Sequence, residues 1–500
     1  MSETTSSRRW LILATCCLSL LIVGLDNTIM NVALPSLARD LHADISGLQW
    51  AIDAYVLVLA ALLVLSGSAG DRFGRRRVFQ TGLAVFTVAS LLCSLAPSLA
   101  WLIAFRALQG VGASMLNPVA MSIITNTFTD RRERARAIGI WGGVVGISMA
   151  LGPVLGGVLV DGVSWRAIFW INVPVGVAAF ALTAALVPES RAPRARRFDP
   201  VGQVLVAATL TGITAAIIEG PRLGWSAPAT VALFVLGLAG AAALVPYELR
   251  RAEPLLEMRF FRSVPFSGAT VIAVSAFGAL SGFLFLNTLY LQDVRGMSAV
   301  GAGLHTLPMA VVTMVVAPLS GRIVGSRGPR LPLLLAGTGM TIGALMLTRE
   351  AGHPSITWLL VAYAVFGAGF GMVNAPITNT AVSGMPLAQS GVAAAVASTS
   401  RQVGQLLGVA VIGTVLSSAA ADHGLAAQIL EAAGPGWWIV VGCGVAVLVL
   451  GFVTSGRWAH ATAERTASRL LHEHDPEREP ARAAQPDPSG SRAHAVPGGR

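Results

Sequence analysis

The 500-residue chain contains no lysine, so all 35 of its basic residues are arginine. It is poor in charge altogether, with 12% charged residues, and it holds only four cysteines and four tyrosines. Each scarcity excludes something. So little charge beside 54% hydrophobic residues, with a mean hydropathy of +0.68, excludes a soluble globular domain. Cys16, Cys17, Cys93 and Cys443 all lie in apolar stretches without spaced histidines, which argues against a disulfide framework and against a metal site. No G-x-x-x-x-G-K-[ST] loop is present to cradle nucleotide phosphates. No nucleophile, base and orienting group recur at recognisable spacing, so an enzyme is not expected.

What the sequence does have is apolar runs. A hydrocarbon core of roughly 30 Å needs about 20 helical residues to cross it, and fourteen candidate segments begin near Trp10, Leu48, Val78, Trp101, Ala137, Trp165, Val201, Ala227, Pro265, Ala299, Leu331, Ile356, Ala388 and Gly436. None shows the alternation of a membrane barrel, so the predicted fold class is an all-α integral membrane protein. The first run follows Arg8 and Arg9 but lacks a small-residue cleavage site, which disfavours a signal peptide.

The arginines fix an expected orientation. They crowd into alternate loops: Arg72, Arg75, Arg76 and Arg77; Arg131, Arg132, Arg134 and Arg136; Arg191, Arg194, Arg196 and Arg197; then Arg250 to Arg262 and Arg322 to Arg330. The intervening loops hold only Arg39, Arg166, Arg222, Arg295 and Arg349. The positive-inside rule then predicts both termini in the cytoplasm of a cytoplasmic-membrane protein. The net charge of +10 is a topological signal, and no nucleic-acid partner is expected. From about residue 457 the tail mixes Arg, Glu, Asp and Pro, and beyond one surface helix it is predicted to be disordered.

Self-comparison pairs Asn27-Thr28 with Asn287-Thr288, and "GSAGDRFGRR" at 67–76 with "GRIVGSRGPR" at 321–330. Two six-helix halves related by a parallel repeat account for this. The predicted division is a cytoplasmic N-terminus 1–9, a bundle 10–187, an inserted helix pair with basic linkers 188–262, a second bundle 263–456 and the tail 457–500. A substrate path is expected between the bundles.

Three groups of motifs carry a family resemblance. Gly67, Asp71, Arg72, Gly74, Arg75, Arg76 and Arg77 form G-x-x-x-D-R-x-G-R-R-R, which resembles the loop signature of the major facilitator superfamily. Gly325 replaces the acid in the second copy. Gly139, Gly152, Pro153, Gly156 and Gly157 in helix 5 resemble the antiporter motif of its exporters, departing from it at Ser148. "LDNTIMNVALP", "QWAIDAYVLVLA" and "RALQGVGASMLNP" look like the fourteen-helix drug:proton antiporters over about residues 10–455. The resemblance implies two six-helix bundles plus two inserted helices.

An ionisable group within an apolar helix costs about 2.5 to 3.5 kcal/mol on insertion scales and faces the protein interior or a wet cavity. Asp26 is such a group, and by helix rise Asp53 and Arg106 fall in the same half of the first bundle, where all three could meet. In general, burial favours a protonated carboxyl and an arginine partner favours the carboxylate. A contact that changes during transport would therefore make these residues a proton-coupling device, although a static ion pair or an interfacial Asp53 is also open. Glu219 and His305 are weaker titrating candidates, each with a structural alternative. Asn27, Tyr55, Gln109, Asn117, Asn374 and Arg401 are candidate cavity residues for a bulky amphipathic or cationic compound.

The function expected is proton-driven export of drug-like small molecules by alternating access, performed by a monomer in the bilayer without a cofactor. A proton-linked importer of a small metabolite and a non-transporting membrane sensor are the alternatives.

Overall fold

The computed structural model describes residues 6–192, 198–251, 253–349, 354–383, 385, 389–419 and 425–473. Among them every regular element is helical. The first six long helices are α1 Ser6–Leu41, α2 Ile45–Phe73, α3 Arg75–Ser94, α4 Leu99–Thr127, α5 Arg131–Gly162 and α6 Ala167–Leu186, the last interrupted at Ile171. Then come α7 Pro200–Leu223 and α8 Pro228–Arg250. A second six follows: α9 Val264–Val294, α10 Ala299–Arg327, α11 Arg330–Leu347, α12 Ile356–Val382, α13 Ser390–Ser418 and α14 Leu425–Thr454. A surface helix, α15 Arg457–Glu473, ends the described chain, and the rest of the predicted disordered tail lies outside the described residues.

Thirteen of these helices are long and apolar enough to cross a membrane by length and composition. The fourteenth is α13, whose hydropathy is lowered by Arg401, Gln402 and Gln405. It packs along α9 and α2, so these polar groups are shared with protein. α14 starts at Leu425, well before the start expected near Gly436, and carries Pro435 inside it.

Local chemistry sets the breaks. Asp44 caps α2, accepting from Gly47 N at 2.7 Å. Gly74 joins α2 to α3 at φ +113°, a backbone conformation that glycine tolerates, and a Cβ there would meet the Glu189 carboxylate at 2.5 Å. α12 breaks at Met372 and Val373, since Pro376 cannot donate to the Met372 carbonyl. Ser320 Oγ of α10 donates to that carbonyl instead, at 2.8 Å.

Helices α1–α6 pack as one bundle and α9–α14 as another, with α7 and α8 paired beside the seam between α2 and α13. A second seam joins α5 to α10. The halves meet at the end opposite the Arg-rich loops. There Gln49 Nε2 donates to the carbonyls of Ala410 at 2.7 Å and Val409 at 3.3 Å. Gln292 Nε2 donates to the Val32 carbonyl at 2.9 Å, and Asp161 accepts from Ala299 N at 3.2 Å and Val300 N at 2.8 Å. At this end α7 touches both halves at neighbouring residues: Thr414 Oγ1 donates to the Ile217 carbonyl at 2.8 Å and Ser46 Oγ to that of Ile218 at 3.4 Å.

Toward the basic end the seam parts. A Cβ on Gly157 would lie 2.6 Å from the Ala299 carbonyl oxygen and Gly146 approaches Met314, but Gly139, Gly142 and Gly143 of α5 and Gly321 and Gly325 of α10 have open space before them. The molecule is a V, closed at the far end and open at the arginine-rich end.

Candidate functional site

Inside the first bundle, Arg106 of α4 reaches Asp26 of α1, with Nη1 donating to Oδ2 at 2.5 Å. Both side chains are 1% exposed. Burying two charges is tolerable only when hydrogen bonds replace the lost water, and several do so here. Gln109 Nε2 donates to Asp26 Oδ1 at 2.9 Å and Asn172 Nδ2 to the same oxygen at 3.1 Å. Arg106 Nη1 also donates to Gln109 Oε1 at 2.8 Å, and its Nε to the Ala51 carbonyl at 3.0 Å. Ser90 closes the network on Gln109 at 2.8 Å. The guanidinium lies 4.4 Å from the Tyr55 ring centroid and 5.9 Å from that of Phe169.

The sequence brought Asp26 and Arg106 to one level; the structure brings them into contact. Asp53 does not join them. It is fully buried on α2 one turn from Gln49, and neither carboxylate oxygen has a hydrogen-bond partner. Helical spacing puts it on the Gln49 face, toward α13, while the Ala51 carbonyl faces Arg106. Tyr55 and Gln109 need correction as cavity residues: both are fully buried members of the charge network. Ser90 and Asn172 were missed, and the only sequence signal for Asn172 is an amide inside the apolar run "FWINVP".

The remaining cavity candidates stand apart from this network. Asn27 and Asn117 are half-buried, and Asn117 Oδ1 and Trp141 Nε1 have no partner. Asn374 is exposed on the second segment of α12. Arg401 donates from Nη2 to Thr378 Oγ1 at 2.5 Å and stands 5.9 Å from the Phe277 ring centroid, while its Nε is unpartnered. The weaker titrating candidates have local partners. Glu219 accepts from Trp50 Nε1 at 2.8 Å and pairs with Arg222 at 2.5 Å, and His305 Nδ1 lies 2.7 Å from the Gly301 carbonyl oxygen.

The two glycine motifs occupy different places. Gly152 and Gly156 of α5 back onto Thr28 and Ile29 of α1, two and three residues past Asp26. Gly157 faces α10, and Gly303 of α10 backs onto the Pro153 carbonyl. Gly139 makes no such approach. One helix thus touches the carrier of Asp26 on one side and the opposite half on the other. In the loop motif, Gly67 lies against Pro118, and Asp71 accepts from Arg75 Nη2 at 2.8 Å. Arg76 N donates to Glu189 Oε1 at 3.1 Å and its Nη2 to the Ala184 carbonyl at 2.6 Å. Arg72 stacks 5.0 Å from Phe198. These contacts stay within the first half or reach the linker after it.

Comparison with known proteins bears on what this arrangement serves. The chain is 36% identical to the multidrug resistance protein Stp of Mycobacterium tuberculosis over 80% of this chain and 74% of that protein. It is 38% identical to the tetracenomycin C resistance and export protein of Streptomyces glaucescens over 83% of this chain and 77% of that one. Among solved structures, a D-xylose-proton symporter superposes with TM-score 0.64 at 17% identity, over 88% of this chain and 97% of that one. A bacterial homologue of the human lysosomal transporter Spinster, inward-facing and unoccupied, gives 0.62 at 17%, over 93% and 99%. The sequence profile of the Major Facilitator Superfamily matches residues 16–409, and with two helical halves enclosing a V this chain belongs to that superfamily of membrane transporters.

Proposed function

We propose that the chain is a proton-driven exporter of drug-like amphipathic small molecules in the bacterial cytoplasmic membrane. The reading rests on the Asp26–Arg106 pair: a carboxylate enclosed in protein and held by one cation and two amide donors. The arginine-rich loops support a cytosolic setting for the open end of the V and for both termini. The kinship with resistance and export proteins supports export and a drug-like cargo.

In this scheme the cargo enters the V from the cytosol among Asn27, Asn117, Asn374 and Arg401. Rocking of α5 against α10 at Gly157 and Gly303 is passed to α1 through Gly152 and Gly156, shifting Asp26 relative to Arg106 on α4. With the cation withdrawn, the carboxylate takes a proton from outside and gives it up inside when the pair re-forms. Arg106 stays charged throughout and modulates the proton without carrying it. A proton moving inward supplies about 2.3 kcal/mol per 100 mV, so no cofactor is required, and one chain with both halves is a complete working unit.

The test is uptake of dyes and antibiotics into proteoliposomes with an imposed pH gradient, comparing the intact chain with Asp26→Asn. Gradient-driven antiport that falls at least about a hundredfold in the amide variant supports the scheme. Symport of solute with protons would make the chain an importer, and full-speed antiport by the variant would remove Asp26 from the mechanism.

A further inference from the structure

Only Ser455 and Gly456 separate α14 from α15, so α15 lies at the basic end just past the hydrocarbon boundary. It is amphipathic in a specific way. Ala459, Ala463, Thr466 and Leu470, about one per turn, are buried, while Arg465 and Arg469 are exposed. The buried face rests on the turn Met258–Arg262 and the start of α9, where Val264 N donates to Thr462 Oγ1 at 3.0 Å. Between turn and helix runs a cleft lined by Arg259, Arg262, Thr466, Arg469 and Leu470.

Three arginines line one cleft, and positive charge gathered there favours an anion beside it. Glu257 Oε1 lies 3.8 Å from Arg259 Nε and offsets one charge. Among the described side chains, neither Arg262 nor Arg469 has a carboxylate within ion-pair distance. Two apolar rings on the elements that form the cleft are outward-facing: Phe261, 40% exposed in the turn before α9, and Trp458, 65% exposed in the first turn of α15. A free phosphate would gain nothing from these two rings. A ligand with an anionic head and an apolar tail would use both.

We propose that this cleft binds the phosphate of an anionic phospholipid, with the Arg262 and Arg469 forks holding phosphate oxygens and Phe261 and Trp458 offering apolar surface to the acyl chains. Planar guanidinium forks match phosphate geometry, and basic clusters just beyond a membrane helix attract anionic lipid. The inference is independent of the role of Asp26. With lipid bound, α15 fastens the start of α9, the first helix of the second half, to the leaflet surface.

The experiment is native mass spectrometry of the full chain in detergent with phosphatidylglycerol or phosphatidylcholine added. Occupancy by phosphatidylglycerol should exceed that by phosphatidylcholine by about tenfold, fall to the phosphatidylcholine level in the Arg262→Gln/Arg469→Gln variant, and resist millimolar inorganic phosphate. Undiminished phosphatidylglycerol binding by the variant overturns the site, and displacement by inorganic phosphate overturns the lipid in favour of a soluble anion. Should the double variant not fold, Arg469→Gln alone, on the exposed face of α15, must still lower phosphatidylglycerol occupancy, and no change overturns the proposal.

Discussion

The hearts of the two bundles are built on one frame and filled with opposite chemistry. Trp101, Gly110, Gly112 and Asn117 of α4 recur in the same register as Trp358, Gly367, Gly369 and Asn374 of α12. In that register Tyr363 stands where α4 has Arg106, and Phe366 where it has Gln109. Tyr363 Oη donates to Asn287 Oδ1 at 2.5 Å, a neutral contact across the corresponding pair of helices, made to the repeat partner of Asn27, while the residue matching Asp26 is Leu286. Around it, Phe283 stacks on Phe366 at 4.9 Å and meets Tyr363 and Trp437 edge-on at 5.4 Å each. The second bundle uses the position for aromatic packing, while the first uses it for a buried ion pair. A repeat can thus keep its helices and lose its titratable group in one copy.

This contrast can be broken or sharpened by substitution. The largest effect belongs to Asp26→Asn, with antiport lost by at least about a hundredfold, and no replacement in the aromatic cluster should match it in transport. Phe283→Ala should act on stability: emptying a fully buried aromatic site costs about 3 to 5 kcal/mol, read as a lower unfolding temperature in detergent, while the proton-to-solute ratio in vesicles stays unchanged. Gly157→Val tests the seam between the halves. Its side chain would collide with Ala299 and Val300, so the far end cannot close, and transport should fall about tenfold or more as cysteine labelling from the arginine-rich side declines. The smallest effect is that of Tyr363→Phe, which removes one hydrogen bond worth about 1 kcal/mol and should leave antiport within twofold. A tenfold loss there would mean that the second bundle also takes part in coupling.

Much of this architecture was legible in the sequence because membrane burial leaves strong marks. Apolar run lengths placed the helices, arginine loops separated the two ends, and an acid and an arginine in apolar helices announced Asp26 and Arg106. The rest depended on rotation about helix axes. Counting residues puts Asp53 in the same half of the bundle as Asp26 but does not say that its side chain turns toward α13. Tyr55 and Gln109 looked like cavity polar groups because the sequence does not distinguish a bundle interior from the path between bundles. Ser90 and Asn172 were invisible as partners because a lone hydroxyl or amide in an apolar helix more often bonds its own backbone, as Ser94 does with Leu91. α13 was predicted from length, and only its neighbours α2 and α9 explain how it carries Arg401 and two glutamines.

The grip of α7 on both halves has a mechanical corollary. Adjacent peptide carbonyls of one stiff rod, at Ile217 and Ile218, are tethered to opposite sides of the transporter. Prising the far mouth apart there must snap one tether, and along the α5–α10 edge it must also break the bonds that Asp161 accepts from Ala299 N and Val300 N. Opening the far mouth therefore means giving up hydrogen bonds along both edges, with the inserted pair as the clasp on one of them.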